Sequence, residues 1–183
     1  MLDACVLYPP SLRDLLMRLA AAGIYFPKWT DEIQAEWVRH VIADKPAITL
    51  AELERTCTLM EQVTGDSVVR GYEAHVAALK LPDADDRHVL AAAITAQARF
   101  IVTYNVSDFP DYVLGCFGVG AVHPDIFLSA LLDERPDPFL VAIRRHRMAL
   151  KNPPKTVDDY IATLKTNRLT QLAKRIDEYR DEI

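Results

Sequence analysis

Glycine, cysteine and long apolar runs are all scarce in this 183-residue chain, and each scarcity removes a class of protein. The 6 glycines nowhere form the G-x-G-x-x-G or P-loop patterns whose backbone cradles phosphate, so a dinucleotide or nucleoside-triphosphate loop is not expected. No G-x-S-x-G elbow is present, which removes the pattern of an α/β-hydrolase. The three cysteines, Cys5, Cys57 and Cys116, are odd in number and widely spaced. They lack zinc spacing and suit a reducing, cytoplasmic setting. No apolar run approaches the ~20 residues that cross a bilayer. No basic start leads into an apolar stretch, so no secretory leader is expected either.

What remains is ordinary globular material, 50% hydrophobic and 26% charged, long enough for one domain or one domain with an appendage. The net charge of −5 is unevenly spread. Residues 1–143 carry 11 Lys/Arg against 20 Asp/Glu, a net of −9, whereas residues 144–183 carry 10 against 6, a net of +4. Arg144, Arg145, Arg147, Lys151 and Lys155, with His146, form a stretch free of acids. Such a stretch is either a solvated helix face or a footprint for RNA phosphate or a partner protein.

The apolar pattern alternates between strand-like and helix-like segments. Short strands are predicted at residues 2–7, 24–26, 100–104 and 119–122, with a weak edge strand at 68–69. Helices are predicted after Ser11, Thr30, Thr49, Asp86 and Asp125, each preceded by a capping residue or an acidic first turn. Alternation of this kind implies an α/β fold: a parallel sheet sandwiched by helices, with ligands bound beyond the carboxyl ends of the strands. Past residue 134 the texture becomes purely helical, with helices starting near Phe139, Thr156 and Leu169. The expected organisation is therefore a domain over residues 1–134 and a helical C-terminal extension over residues 135–183.

Four acids stand at predicted handovers between strand and helix or loop: Asp3, Glu36, Asp86 and Asp108. Three have ordinary explanations. Asp86 suits a helix's first turn, Glu36 an exposed helix face and Asp108 a turn. Asp3 does not, because it interrupts a short apolar segment, where an unpaired carboxylate costs several kcal/mol. Carboxylates converging from separate elements are the ligand set that hard cations such as Mg2+ or Mn2+ take, and such ions activate water for attack on phosphodiesters. Thr103 and Asn105 flank the same strand end and are placed to hold a carboxylate or a water. Asp83 and Asp85 read as loop acids, either of which is placed to support the site; His88 and Trp37 read as packing residues.

The segments Leu2-Asp3-Ala4-Cys5-Val6-Leu7, Thr30 with Glu36-Trp37, Asp86 with Val89-Leu90-Ala91-Ala92-Ala93, and Val102-Thr103 with Asn105 and Asp108-Phe109 occur in that order. In this order and spacing the chain resembles the PIN domain, and among PIN proteins the VapC toxins of type II toxin–antitoxin pairs. The resemblance covers roughly residues 1–130, and the helical tail is similar to an extension found in a subset of those toxins. It implies a metal-dependent endoribonuclease with Asp3, Glu36, Asp86 and Asp108 as catalytic and metal-binding residues. It further implies Mg2+ or Mn2+ as cofactor, an RNA substrate, a cognate VapB-type antitoxin and a homodimer, in the cytoplasm and away from membranes. One departure stands out: the position two after the first Asp, commonly Asn or Ser in PIN domains, is Cys5, and a thiol is a weak hydrogen-bond partner. Other readings remain: a PIN nuclease that processes RNA or DNA outside a toxin–antitoxin pair, or a non-catalytic binding or signalling domain. A phosphoacceptor domain would need paired acids after the first strand and a late lysine. Asp3 has no acidic neighbour, and no Lys lies between Lys80 and Lys151.

Overall fold

A computed structural model describes all residues, 1–183. Its helices in chain order are α1 (Ala4–Leu7), α2 (Pro10–Ala21), α3 (Asp31–Asp44), α4 (Leu50–Thr64), α5 (Glu73–Val76), α6 (Arg87–Thr95), α7 (Asp111–Leu114), α8 (Pro124–Glu134), α9 (Pro136–Ala149), α10 (Val157–Thr166) and α11 (Thr170–Asp177). Two strands, β1 (Phe100–Val102) and β2 (Gly120–Val122), complete the set. The chain divides into two compact units, Met1–Tyr8 with Pro27–His123, and Pro9–Phe26 with Pro124–Ile183.

The first unit is built on a narrow ladder. β1 and β2 pair in parallel with Ile101 opposite Ala121. Single parallel bridges join Leu2 to Val102 and Trp29 to Val68, and the Leu2 amide donates to the Lys28 carbonyl at 2.8 Å. Five segments thus lie side by side, although only two are long enough to be strands. The parallel pairing expected from the sequence is present, in a helix-rich α/β fold with a small sheet. The strand expected at residues 2–7 is instead one bridging residue followed by α1. The cause is local: Asp3, in extended conformation (φ −81°, ψ 156°), accepts from the Ala4 amide at 2.6 Å and starts a helix where the apolar run would have continued as strand.

Helix starts in this unit follow side-chain chemistry closely. Thr30 Oγ1 accepts from the Ile33 amide at 3.0 Å, and Thr49 with Glu52 closes a complete capping box. α3 buries Ile33, Trp37 and Val41. α4 buries only Leu53 and Met60 and leaves Leu50 half exposed. α6 buries Val89 to Ala93 without exception, and its three consecutive alanines let it lie close against β1. That packing places the start of α6, and therefore Asp86, beside the ladder.

The second unit is helical apart from its loops and one antiparallel bridge, Lys151 to Pro154. α2 packs on α9, α8 on both α9 and α11, and α10 on α11. No strand forms at residues 24–26. Gly23, at φ +65°, ends α2 in the left-handed region that favours glycine, and Tyr25 folds back edge-on to Phe127 with ring centroids 5.3 Å apart. The division at 123/124 differs from the expected boundary at 134/135, and two observations explain it. Asp125, expected to cap its own helix α8, instead accepts from the Gln171 and Leu172 amides, both at 2.8 Å, and so caps α11. In addition, α2 is tied to α9 and α10 through a buried histidine. His146 Nδ1 lies 2.8 Å from the Tyr160 hydroxyl, and its Nε2 lies 3.5 Å from an Asp14 carboxylate oxygen. Burial pushes His146 down to about 4, against a smaller opposing pull from Asp14.

The basic stretch at 144–155 is not uniform. Arg147 donates to the Lys155 carbonyl at 2.8 Å and to the Ile183 carbonyl at 3.2 Å, and His146 is buried. Arg144 and Arg145 are exposed and enter no ion pair.

Candidate active site

The ladder of the first unit brings Asp3 and Asp108 to one end. Asp3 ends the segment 1–3, and Asp108 lies in the 3-10 turn Val106–Asp108 just past β1. Asp3 is 5% exposed, and a carboxylate so buried needs partners. Oδ1 accepts from the Ala4 amide; Oδ2 accepts from the Thr103 hydroxyl at 2.6 Å and the Cys5 thiol at 3.0 Å. Thr103 Oγ1 in turn accepts from the Asn105 amide at 2.9 Å, and Cys5 Sγ accepts from the Tyr104 amide at 3.3 Å. The role expected for Thr103, holding a carboxylate, is thus visible. Asn105 contributes through its backbone rather than its side chain.

Cys5 is informative. Burial first, then the Asp3 charge, pushes its thiol up to about 12, so it stays protonated and remains a donor to Asp3. Weak as a thiol donor is, it supplies one of the three hydrogen bonds on the Asp3 carboxylate.

Asp86 immediately precedes α6, where an acid ordinarily caps. It makes no side-chain cap hydrogen bond. Its carboxyl is instead pushed up to about 7, by burial first and then by the negative charges of Asp3, Asp83, Asp108 and Glu36. Glu36 is raised by burial and then by Asp3, while His88, His40 and Arg39 pull the other way. Mutual repulsion of this kind means that Asp3, Glu36, Asp86 and Asp108 share one electrostatic neighbourhood. Asp83 joins from the loop, where it also accepts from the Asp85 amide at 2.9 Å. No three acidic, histidine or cysteine side chains stand close enough to hold a single ion as they are placed.

His88 is not merely packing. Its side chain is 11% exposed, Nδ1 faces Glu32 Oε2 at 3.6 Å and Nε2 faces Glu36 Oε2 at 3.8 Å. The Tyr72 hydroxyl donates to the same Glu32 oxygen at 2.9 Å. The sequence carried a usable signal for this group: Glu32 and Glu36 are one turn apart on α3 and so share a face.

A small parallel ladder flanked by helices, with Asp3 and Asp108 at one end, is the setting of the match: the chain belongs to the PIN domain family, whose model matches residues 1–107. A second family, described as the VapC50 C-terminal domain, matches residues 124–178, a span lying wholly within the second unit. A stretch of 48 residues is 52% identical to a Mycobacterium tuberculosis (strain ATCC 25618 / H37Rv) protein named "Putative ribonuclease VapC50"; it covers 26% of this chain and 28% of that protein. These matches bear out the resemblance to VapC-type PIN proteins. No solved structure gives a significant match to the chain.

Proposed function

We propose that the chain is a metal-dependent endoribonuclease toxin that cleaves RNA phosphodiester bonds and is neutralised by a cognate VapB-type antitoxin. Asp3, Glu36, Asp86 and Asp108 are its catalytic and metal-binding residues. The observation that carries this reading is the raised Asp86 carboxyl, driven by burial and by four neighbouring acids with no cation among the causes. A carboxyl raised by like charges, with no cation offsetting them at that group, is the electrostatic signature expected of a functional carboxylate.

The donor set fits Mg2+ or Mn2+: all four groups offer hard oxygens, and their repulsion is what a divalent cation relieves. When bound, such a cation supplies charge stabilisation at phosphate and lowers the pKa of water. The chain's own residues supply orientation. Thr103 and Cys5 fix Oδ2 of Asp3, and the Ala4 amide fixes Oδ1, so this carboxylate is held in one rotamer before any ligand arrives. Asp86 has no capping duty and is available to the site. The proposal includes an RNA substrate, a homodimer and action in the cytoplasm; no helix is long and apolar enough to cross a membrane.

The test is cleavage of RNA by the purified chain with Mg2+ or Mn2+, beside Asp3→Asn and Asp86→Asn. Cleavage that needs the metal and is lost in both variants is expected; undiminished cleavage by either variant overturns the site assignment. Co-expression with the product of an adjacent small reading frame separates a toxin from a PIN nuclease of RNA or DNA processing: only a toxin's growth arrest is relieved.

A further inference from the structure

His88 is the polar side chain that the proposed chemistry leaves without a task. Its Nδ1 is buried and has no hydrogen-bond partner. An orphaned buried polar atom is destabilising, and an apolar side chain would fill the same space without that cost. Both ring nitrogens are turned to glutamates of α3, 3.6 Å from Glu32 and 3.8 Å from Glu36, just beyond hydrogen-bond length. Glu32 is itself tied by the Tyr72 hydroxyl. The four side chains form a series, Tyr72, Glu32, His88, Glu36, whose last member belongs to the carboxylate cluster.

Glu36 differs from Asp3 in how it is held. Asp3 has three donors on its carboxylate, whereas no hydrogen bond to the Glu36 carboxylate is present, and its side chain keeps 31% exposure. A glutamate with three rotatable bonds needs an external fix to keep its oxygens in the cluster. His88 is the nearest candidate, with Arg39 and His40 acting on Glu36 more weakly.

We propose that His88 is a positioning residue that holds Glu36 in the carboxylate cluster, with Glu32 and Tyr72 holding His88 from behind. The proposal rests on the metal-site reading of the cluster. It gives His88 no direct bond to cation or substrate. Groups that orient ligands from behind typically change metal affinity about 10- to 100-fold when removed.

Mn2+ titration calorimetry of the full chain tests it. His88→Ala is expected to weaken Mn2+ binding by about 10-fold or more. His88→Gln, which keeps a donor on that side, is expected to recover part of the loss. In a Glu36→Gln background, His88→Ala is expected to change nothing further, because the group it positions is gone. Should His88→Ala fail to fold by circular dichroism, Glu32→Gln and Tyr72→Phe carry the test, each with a loss of a few-fold. Unchanged affinity in His88→Ala, or the same loss with and without Glu36, overturns the positioning role alone. A wild-type chain that takes up no Mn2+ overturns the metal-site reading with it.

Discussion

Asp86 in the first unit and His146 in the second are both displaced by burial, and in both burial is the largest cause. Their neighbours then act in opposite senses. Around Asp86 the charges of Asp3, Asp83, Asp108 and Glu36 add to the effect of burial. Around His146 the strongest neighbour, Asp14, opposes burial, and the Tyr160 hydroxyl satisfies Nδ1. A cluster whose members worsen one another's burial cannot settle itself and needs something from outside. Around His146 the offset is partial: Nε2 stays without a hydrogen bond, 3.5 Å from Asp14. The first pattern is the one the proposed site requires; the second is that of a joint between helices.

The most forceful way to break that comparison is Asp86→Asn. RNA cleavage is expected to fall by on the order of 100-fold or more, the scale on which one charge-stabilising group counts. The same change is expected to raise the melting temperature of the metal-free chain, because it removes a carboxylate that the folded state repels. A variant that loses both activity and stability would show Asp86 to be structural instead.

Acid should next act on the two clusters with opposite signs. The folded His146 value, about 4, lies below its ordinary 6.5. No penalty exists above pH 6.5; as pH falls from 6.5 toward 4 the unfolded chain binds the proton more readily, and the second unit loses roughly 3 kcal/mol. The folded Asp86 value, about 7, lies above its ordinary 3.8. Without metal its penalty is absent below pH 3.8 and grows as pH rises toward 7. Amide exchange read separately over α9–α10 and over α6 checks the signs. Acid should weaken protection in α9–α10 and, in the metal-free chain, strengthen it around Asp86. A common sign in both would end the contrast.

Tyr160→Phe is a milder probe of the same joint. It removes the hydroxyl that satisfies a fully buried imidazole nitrogen and is expected to cost about 1–3 kcal/mol. Thermal unfolding of the variant at pH 7 measures it, and a change below about 0.5 kcal/mol would show that His146 finds another partner.

What was legible in the sequence follows the range of the interaction. Thr30, Thr49 and Thr156 announce their helices because a cap reaches only three residues on. The acids Asp3, Glu36, Asp86 and Asp108 are proposed as a set from their order and spacing along the chain; the charge coupling of Asp86 to the other three arises only in the folded unit. Residues 2–7 read as a strand because an apolar hexamer suits a buried strand or a buried helix turn equally, and only the geometry of Asp3 decides. Asp125 reads as a cap of α8, yet it caps α11, 46 residues further on, which no local pattern encodes. His88 reads as packing because its partners on α3 are far back in the chain. The place of α2 with the C-terminal helices was hidden for the same reason: Asp14 and His146 meet only in the folded unit.

The smallest expected effect carries the contrast between occupied and unoccupied charge into α9. Arg147 is occupied by the Lys155 and Ile183 carbonyls, whereas Arg144 and Arg145, exposed beside Val141 and Met148, are not. If the basic stretch grips RNA backbone, only the latter two are placed to do so. Replacing Arg144 and Arg145 together by Ala is expected to leave stability within about 0.5 kcal/mol. It should weaken RNA binding and flatten the dependence of log K on log salt by about 0.7 for each single-strand phosphate that is no longer neutralised. Arg147→Ala should do the reverse: a stability loss of about 1–3 kcal/mol, from carbonyls left without their donor, with the salt slope intact. Binding measured across a salt series separates the two. A slope unchanged in the double variant would return Arg144 and Arg145 to a solvated face, leaving only the structural half of the contrast in α9.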